Sequence, residues 1–223
     1  MLKELHYARL QRAWERTLKG PGTCYRVGDT HSLQIHTVCG DAIGSIVWGG
    51  SDAILEYFLE APELIRSKHI LELGCGVGVV GLFLCKMGAA EVIMTDCAEH
   101  LALPSHNLAM NSGELVGPSC LCCVSALNWG GDSAWEQFCD KNREFVSQME
   151  IVVGSDLVYT EKGALDLANL LSLIIPHGSS VVFIMSYLER GAGHFFFNRV
   201  REVGLAITTI SKRGNHSIIK IRR

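Results

Sequence analysis

The sequence lacks any apolar run close to the roughly 18 to 20 residues that a membrane-spanning helix needs, and it is charged from Lys3 onward. It also lacks an excess of one charge, because 20 Lys and Arg residues against 23 Asp and Glu residues leave a net charge of −3. Charged residues make up 19% of the chain and hydrophobic residues 48%, as in packed globular proteins. We therefore expect neither a membrane protein nor a disordered chain, and no binding to nucleic acid.

The two C-x-x-C pairs of a zinc site are also absent, although the chain has nine cysteines. Cys75 falls in a glycine-rich turn and Cys85 in a predicted helix, while the run Cys120–Cys123 would alternate between the two faces of a strand. Such scattered thiols fit neither a metal site nor a disulfide framework. We expect no metal, and a reducing compartment: the cytoplasm, with the nucleus as a further location.

No linker divides the 223 residues, which suffice for one domain with a large core. We predict a single domain, in which residues 1–42 form an N-terminal helix and β extension and residues 43–223 form the cofactor-binding core. The helix is expected over residues 2–19, which carry an amphipathic pattern. A β hairpin of Ser32–Cys39 and Ile43–Trp48 should follow it.

A helix is predicted from about Ser51 to Leu59, with Ser51 or Asp52 as its N-cap. From His69 onward, strand-like and helix-like segments alternate, which predicts a doubly wound α/β sandwich with a mostly parallel sheet. The predicted strands are His69–Leu73, Glu91–Thr95, Ser119–Ser125, Glu150–Ser155 and Ser180–Met185, and the predicted helices lie near Val79–Met87, Glu99–Met110, Lys162–Ile175 and Gly193–Val203.

Two final β-like runs, Leu205–Ser211 and Ser217–Arg222, have no helix between them. They predict an antiparallel hairpin at one edge of the sheet. A mostly parallel sheet that ends in such a hairpin is the arrangement of seven-strand methyltransferases, whereas the strands of dinucleotide-binding folds continue in parallel.

The string Glu72-Leu-Gly-Cys-Gly-x-Gly78 joins the first core strand to a helix. Glycines in such a turn tolerate positive φ and let a ligand approach the backbone. Asp96 ends the next strand about 20 residues later, the offset at which a carboxylate binds ribose hydroxyls. Together these features predict a cofactor that contains adenosine.

The glycines alone leave two cofactors open. Gly76-x-Gly78-x-x-Gly81 matches the dinucleotide fingerprint of nicotinamide enzymes. The longer string from Glu72 resembles the first motif of class I S-adenosylmethionine-dependent methyltransferases, whose glycines make room for the methionine part of the cofactor. The C-terminal hairpin favours the second interpretation.

Ser155-Asp156-Leu-Val-Tyr159 follows the fourth core strand, and ligand-binding groups gather at such carboxyl ends. Its Asp-x-x-Tyr resembles the signature of methyltransferase family 16, which includes protein-lysine methyltransferases. Trp48, Leu127-Asn-Trp-Gly130 and Ser186–Arg190 resemble that family's cofactor-site tryptophan, adenine-side motif and substrate-entrance segment. The sequence departs from the family pattern in two places, because Asn128 stands where an acid is common and Gly49-Gly50 stands where larger residues are common.

The resemblance implies roles for twelve residues. Asp156 and Tyr159 would be catalytic, with Asp156 orienting the incoming amine, and Tyr187 and Arg190 would bind substrate. Glu72 would favour the ammonium of the cofactor directly or through water. The full cofactor-binding set would be Trp48, Glu72, Gly74, Cys75, Gly76, Asp96, Trp129 and Ser155.

The expected function is S-adenosylmethionine-dependent N-methylation of a lysine in another protein, by a monomer. Methylation of a protein histidine or arginine, or of a small amine, stays open within the same class. From other classes, a non-catalytic binding module with a methyltransferase fold and a nicotinamide-dependent oxidoreductase stay open, the latter disfavoured by the hairpin and by Asp156-x-x-Tyr159.

Overall fold

The computed structural model describes residues 23–27, 31–37, 46–115, 120–131 and 133–223. The helix predicted over residues 2–19 lies outside the described residues, as does the start of the strand predicted at Ile43–Trp48. The described part of the chain contains a two-stranded ribbon and a seven-stranded sheet.

The ribbon pairs β1 (Thr23–Val27) with β2 (His31–Ile35) in antiparallel fashion. The remaining elements are α1 (Gly49–Glu60), β3 (His69–Leu73), α2 (Val79–Lys86), β4 (Glu91–Asp96), α3 (Ala102–Leu115), β5 (Leu121–Ala126), α4 (Ala134–Lys141), α5 (Arg143–Gln148), β6 (Ile151–Ser155), α6 (Glu161–Ile174), β7 (Val182–Leu188), α7 (Gly193–Glu202), β8 (Ala206–Arg213) and β9 (His216–Arg222), with short 3₁₀ turns at Pro62–Leu64 and Ala98–His100.

The large sheet has the strand order β5-β4-β3-β6-β7-β9-β8. The first five strands are parallel, whereas β9 runs antiparallel to both β7 and β8. The predicted fold class, a mostly parallel seven-strand sheet with a C-terminal antiparallel hairpin, is confirmed. Because the chain proceeds outward from β3 to β5 and returns at β6, the direction of winding changes between β3 and β6, where open α/β sheets bind ligands.

Apolar side chains form one layer on each face of the sheet. Neighbouring residues of β3 point to opposite faces, so Ile70 packs with α1 and α2 while Leu71 packs with α6. Phe58 and Phe83 on one face and Phe183 on the other are fully buried. Burial of each such side chain contributes about 1.5–3 kcal/mol, which explains why the central strands are apolar on both sides.

The segment before the core differs from the sequence prediction. Ile46, Val47 and Trp48 have no strand structure, so the strand predicted over Ile43–Trp48 is wrong for these residues. The observed hairpin is formed instead by β1 and β2.

Helix α1 begins two residues before the predicted start. Trp48 is its N-cap and makes no side-chain capping bond, so the predicted cap at Ser51 or Asp52 is wrong. Ser51 Oγ lies 3.4 Å from Ser155 Oγ, and Asp52 accepts a hydrogen bond from the Tyr25 hydroxyl. Tertiary contacts therefore engage both polar side chains.

Between β5 and β6 the structure contains two short helices, α4 and α5, that were not predicted. Each buries one large side chain, Phe138 in α4 and Phe145 in α5. The predicted helix near Glu99–Met110 is present but starts at Ala102, and Pro104 lies in its first turn, where a missing N–H costs no helical bond. Among the described residues, no helix combines the length and apolarity required to cross a membrane.

Candidate active site

A cavity of about 300 Å³ opens at the carboxyl ends of β3, β4 and β6. Eight of the twelve sequence-predicted site residues line it. The lining residues are Trp48, Gly74, Gly76, Asp96, Cys97, His100, Asn128, Trp129, Gly130, Ser155, Asp156, Leu157, Tyr159, Thr160, Lys162, Gly163 and Asp166. The other four predicted residues, Glu72, Cys75, Tyr187 and Arg190, are not among them.

The floor of the cavity is the glycine turn after β3. Gly74, Gly76 and Gly78 have φ values of 62°, 52° and 83°, a region that other residues rarely adopt. A Cβ on Gly74 would lie 2.7 Å from Leu157 Cδ2 and 3.2 Å from the Trp129 ring. The turn is therefore shaped by both backbone conformation and the close approach of two side chains.

Asp96, at the end of β4, holds this turn from the side. Its Oδ2 accepts a hydrogen bond from Gly76 N at 2.9 Å, and its Oδ1 accepts one from Cys97 N at 2.8 Å. His100 Nδ1 lies 3.4 Å from Oδ1, and this hydrogen bond with Asp96 raises the pKa of His100. Each carboxylate oxygen has two acceptor sites, so Oδ2 of Asp96, with one partner, retains a site for a ribose hydroxyl.

Glu72 lies beneath the turn and is only 2% exposed. Its Oε2 accepts a hydrogen bond from Gly81 N at 2.9 Å, and burial raises its pKa to about 8. A Cβ on Gly81 would come within 2.5 Å of Glu72 Oε2 and would overlap Met94. The third glycine of the dinucleotide-like spacing therefore permits close packing of helix and strand.

Cys75 is also buried below the cavity surface, and burial raises the pKa of its thiol. A neutral, buried thiol is neither a nucleophile nor a metal ligand. Its backbone N–H donates to Thr95 O at 2.9 Å and so ties the turn to β4.

Asp156 marks the opposite end of the cavity. It has φ of 54°, an unusual conformation for a non-glycine residue, and strain of this kind concentrates at functional sites. Its side chain is 5% exposed, with Oδ2 3.2 Å from His216 Nε2 and 3.6 Å from the Arg190 guanidinium. Among the described residues, Oδ1 of Asp156 has no hydrogen-bond partner. A buried carboxylate oxygen without a partner is a position for an incoming donor.

Hydroxyl groups line the space beside Asp156. Ser155 Oγ lies 3.4 Å from Ser51 Oγ and 3.3 Å from Ser186 Oγ. A Cβ on Gly50 would approach the carboxyl carbon of Asp156 to 2.7 Å. The departure from the family pattern at Gly49-Gly50 thus leaves the room that the Asp156 carboxylate occupies.

Arg190 lies between Asp156 and Trp48, with its guanidinium carbon 5.8 Å from the centre of the Trp48 ring, close enough for a cation–π contact. Trp48 and Tyr159 are 38% and 46% exposed and form an aromatic rim at the cavity mouth. Tyr187 is buried and packs edge-to-face on Phe197, and burial raises its pKa to about 12. Tyr187 is not among the residues that line the cavity, and its contact with substrate stays a prediction.

The far wall contains groups that sequence reasoning missed. The Lys162 ammonium and the Asp166 carboxylate form an ion pair of 2.5 Å across one turn of α6. A Cβ on Gly130 would lie 2.6 Å from Asp166 Oδ2, so the loop with Trp129 packs directly on this pair. Only their i,i+4 spacing was visible in the sequence, and it is equally typical of a surface pair.

Asp96, Cys97 and His100 bring potential metal-ligand atoms within 4.8 Å of one another. Oδ1 of Asp96 is already engaged within the cluster, because it accepts from the backbone N–H of Cys97 and pairs with His100 Nδ1. The expected absence of a metal stays a prediction.

The residues of the cavity fit S-adenosylmethionine. A glycine cradle that a Cβ would fill, a carboxylate for ribose hydroxyls and aromatic walls at Trp48 and Trp129 match the parts of that molecule. A seven-strand sheet with this cavity at its switch point defines a class I methyltransferase.

A model of the lysine methyltransferase family matches residues 27–203, and the chain therefore belongs to this family. It is 31% identical over 169 residues to EEF1A lysine methyltransferase 3 of Mus musculus, covering 74% of this chain and 67% of that protein. It is 27% identical over 161 residues to protein N-lysine methyltransferase METTL21A of Xenopus tropicalis, covering 71% and 67%. The chain thus aligns with about two thirds of the length of these relatives.

Among solved structures, the 16S rRNA N2 G1207 methyltransferase of T. thermophilus, in complex with AdoMet and guanosine, superposes with a TM-score of 0.60. It is 19% identical and is matched over 90% of this chain and 50% of its own, a likeness of fold. The predictions of an S-adenosylmethionine-dependent protein-lysine methyltransferase and of its cofactor are confirmed by the family.

Proposed function

We propose that this protein methylates the side-chain amine of a lysine in a protein substrate, and that Asp156 orients this amine. The observation that carries the proposal is the buried Oδ1 of Asp156, a residue of the cavity lining, because this oxygen has no partner among the described residues. A lysine that enters past Trp48 and Tyr159 would place its amine at this oxygen.

Alignment is the main contribution required of the protein. When bound, S-adenosylmethionine supplies an electrophilic methyl group on a good leaving group. The remaining barrier depends on holding the nucleophile in line with that methyl group. A hydrogen bond from the amine to Asp156 Oδ1 fixes the direction of the nitrogen lone pair, and the aromatic rim restricts the path of the side chain.

The amine must be neutral to attack, and an isolated carboxylate would oppose this by stabilising the ammonium form. Arg190 counters that effect, because its guanidinium lies 3.6 Å from Asp156 Oδ2 and balances the negative charge. A positive neighbour and a partly desolvated cavity both lower the pKa of an entering amine. Asp156 can therefore orient the amine without stabilising its unreactive form.

For partners, we propose an unidentified protein acceptor, a monomeric enzyme, and no association with nucleic acid or membranes. We place the protein in the cytoplasm, with the nucleus as a further location. One relative is named for methylation of EEF1A and another, from Arabidopsis thaliana, for methylation of calmodulin. These two proteins are the first purified acceptors to test.

The test combines calorimetry with labelled methyl transfer. Wild-type protein should bind S-adenosylmethionine and not NAD, and should transfer labelled methyl groups to EEF1A, calmodulin or a protein of a cell lysate. Mass spectrometry should locate the label on lysine. The Asp156→Asn variant should keep cofactor binding and lose transfer.

Label on histidine, arginine or a small amine would overturn the lysine assignment. Transfer by Asp156→Asn at the wild-type rate would overturn the role of Asp156. If no acceptor were labelled while the cofactor still bound, the interpretation as a non-catalytic binding module would replace the proposal.

A further inference from the structure

His216 contacts the carboxylate of Asp156, where we place the acceptor amine, although the two residues lie far apart in the sequence. It is the first residue of β9, 60 positions beyond Asp156, and its Nε2 lies 3.2 Å from Asp156 Oδ2. The family match ends at residue 203, so His216 lies outside the matched region. In the sequence it stands next to the turn Gly214-Asn215, where a solvent-exposed histidine would be expected.

The imidazole of His216 is held rigidly. Its side chain is 15% exposed, and its backbone pairs with Leu188 on β7 and Arg213 on β8. A Cβ on Gly49 would lie 3.4 Å from His216 Cε1, so the ring packs against the start of α1. Three elements therefore determine where the Nε2–H of His216 points.

The two partners of Asp156 act differently. The His216 Nε2 is within hydrogen-bond distance of Oδ2, whereas the Arg190 nitrogen at 3.6 Å contributes mainly charge. Rotation of a carboxylate about its last torsion is only weakly restricted by its own rotamer preferences. The hydrogen bond from His216 is therefore the contact that sets the plane of the Asp156 carboxylate.

We infer that His216 is a positioning residue, which fixes Asp156 so that Oδ1 faces the acceptor amine. This inference rests on the proposed role of Asp156. His216 is not among the residues that line the cavity, so we place its effect on the acceptor through Asp156. It acts by keeping Oδ2 occupied, which leaves one defined oxygen for the amine.

The experiment compares His216→Ala with His216→Gln, whose amide N–H can replace the Nε2–H donor. His177→Ala is the matched control, because His177 is exposed in the turn after α6. Each full-length variant is assayed for labelled methyl transfer from S-adenosylmethionine to lysate protein at two lysate concentrations, with cofactor affinity by calorimetry and melting temperature alongside.

His216→Ala should slow transfer at high lysate concentration by up to about a hundredfold, the scale expected for a misplaced reacting group. Its cofactor affinity should stay within about twofold of the wild type, since it leaves the glycine turn and Asp96 intact. His216→Gln should recover most of the rate, and His177→Ala should match the wild type.

A wild-type rate for His216→Ala would overturn the inference. Equal losses of transfer rate in His216→Ala and His216→Gln, with weakened cofactor binding in both, would also overturn it, because that result indicates a structural role. If Asp156→Asn kept full activity, the proposed role of Asp156, on which this inference rests, would fail while lysine methylation itself stood. Independently of activity, the Nε2 chemical shift of His216 should move in Asp156→Asn and not in His177→Ala, and an unmoved shift would contradict the contact.

Discussion

Gly50 and Asp156 lie so close that a single carbon added to Gly50 would meet the Asp156 carboxyl carbon at 2.7 Å and Ser186 Oγ at 2.8 Å. Helix α1 therefore approaches the carboxyl ends of β6 and β7 at a point where only glycine fits. The contact links the start of α1 to the carboxylate that we propose orients the acceptor amine.

Gly50→Ala should abolish most methyl transfer, because the added methyl group displaces the Asp156 carboxylate. Alanine is about 1 kcal/mol better than glycine in a helix, so any loss cannot be ascribed to helix propensity. Gly113→Ala in α3 is the matched control, since nothing lies within 4 Å of its added carbon. Gly113→Ala should melt slightly higher at unchanged activity, and equal activity of the two variants would contradict the packing argument.

Glu72→Gln should stabilise the protein progressively as pH rises from 5 to 8. Burial raises the pKa of Glu72 to about 8 in the folded state, whereas an unfolded chain ionises at about 4.3. Between these values the unfolded state binds fewer protons, so the free energy of unfolding of the wild type falls by at most about 1.4 kcal/mol per pH unit. Glutamine does not titrate, and it can still accept from Gly81 N.

Melting curves of wild type and Glu72→Gln at pH 5, 6.5 and 8 check this prediction. The melting-temperature difference between them should grow with pH, whereas the exposed Glu144→Gln should show no such trend. A constant difference across pH would mean that Glu72 ionises normally in the folded state.

Asp96→Asn should weaken S-adenosylmethionine binding by roughly tenfold. Hydrogen bonds to a charged acceptor are worth about 1 kcal/mol more than neutral ones, and the variant loses that charge at nearly constant shape. The backbone N–H groups of Gly76 and Cys97 would also face an acceptor of lower charge. Calorimetry measures the dissociation constant.

The control for Asp96→Asn is Asp140→Asn. Asp140 pairs with Arg143 on the surface, with both side chains more than 75% exposed, and such pairs contribute little. Its cofactor affinity should equal that of the wild type. If Asp96→Asn also left the cofactor affinity unchanged, Asp96 would not be a cofactor-binding residue.

Arg190→Met should shift the pH dependence of the maximal rate to higher pH by about one unit, because loss of the positive charge raises the pKa of an amine bound at Asp156. The rate at pH 9 should then approach that of the wild type, while the rate at pH 7 falls. The exposed Arg143→Met serves as control. An unshifted profile with a uniformly lower rate would assign Arg190 to packing against Trp48 instead.

The sequence predicted the core elements well where burial dominates. The central strands β3, β4 and β6 are mostly apolar, and their observed ends agree with the predicted ends within one residue. Parallel strands covered on both faces leave little choice of pattern, because their side chains must be apolar or, like Glu72 and Thr95, hydrogen-bonded. The glycine turn after β3 and the motif Asp156-x-x-Tyr159 after β6 were readable for the same reason, since each directly follows one of these strands.

Predictions were poorer where long-range contacts decide the local structure. The start of α1 was misplaced because Ser51, a good capping residue, bonds toward Ser155 more than 100 positions away. Helices α4 and α5 are too short to show a clear helical periodicity of apolar residues, and each buries a single phenylalanine. The positions of Lys162 and Asp166 in the cavity wall and of His216 beside Asp156 were missed because no motif marks these residues.

By itself, the sequence determined the α/β class, the glycine turn at Gly74–Gly78 and the order of the motifs, since these depend on local pattern and on the backbone freedom of glycine. Only the tertiary structure decided which groups surround Asp156. Gly50 in α1, Arg190 in the loop after β7 and His216 in β9 meet there because these three parts of the chain pack side by side. Hydrogen bonds and charge balance act over a few ångströms in space, whatever the distance along the chain, so the surroundings of Asp156 form only on folding.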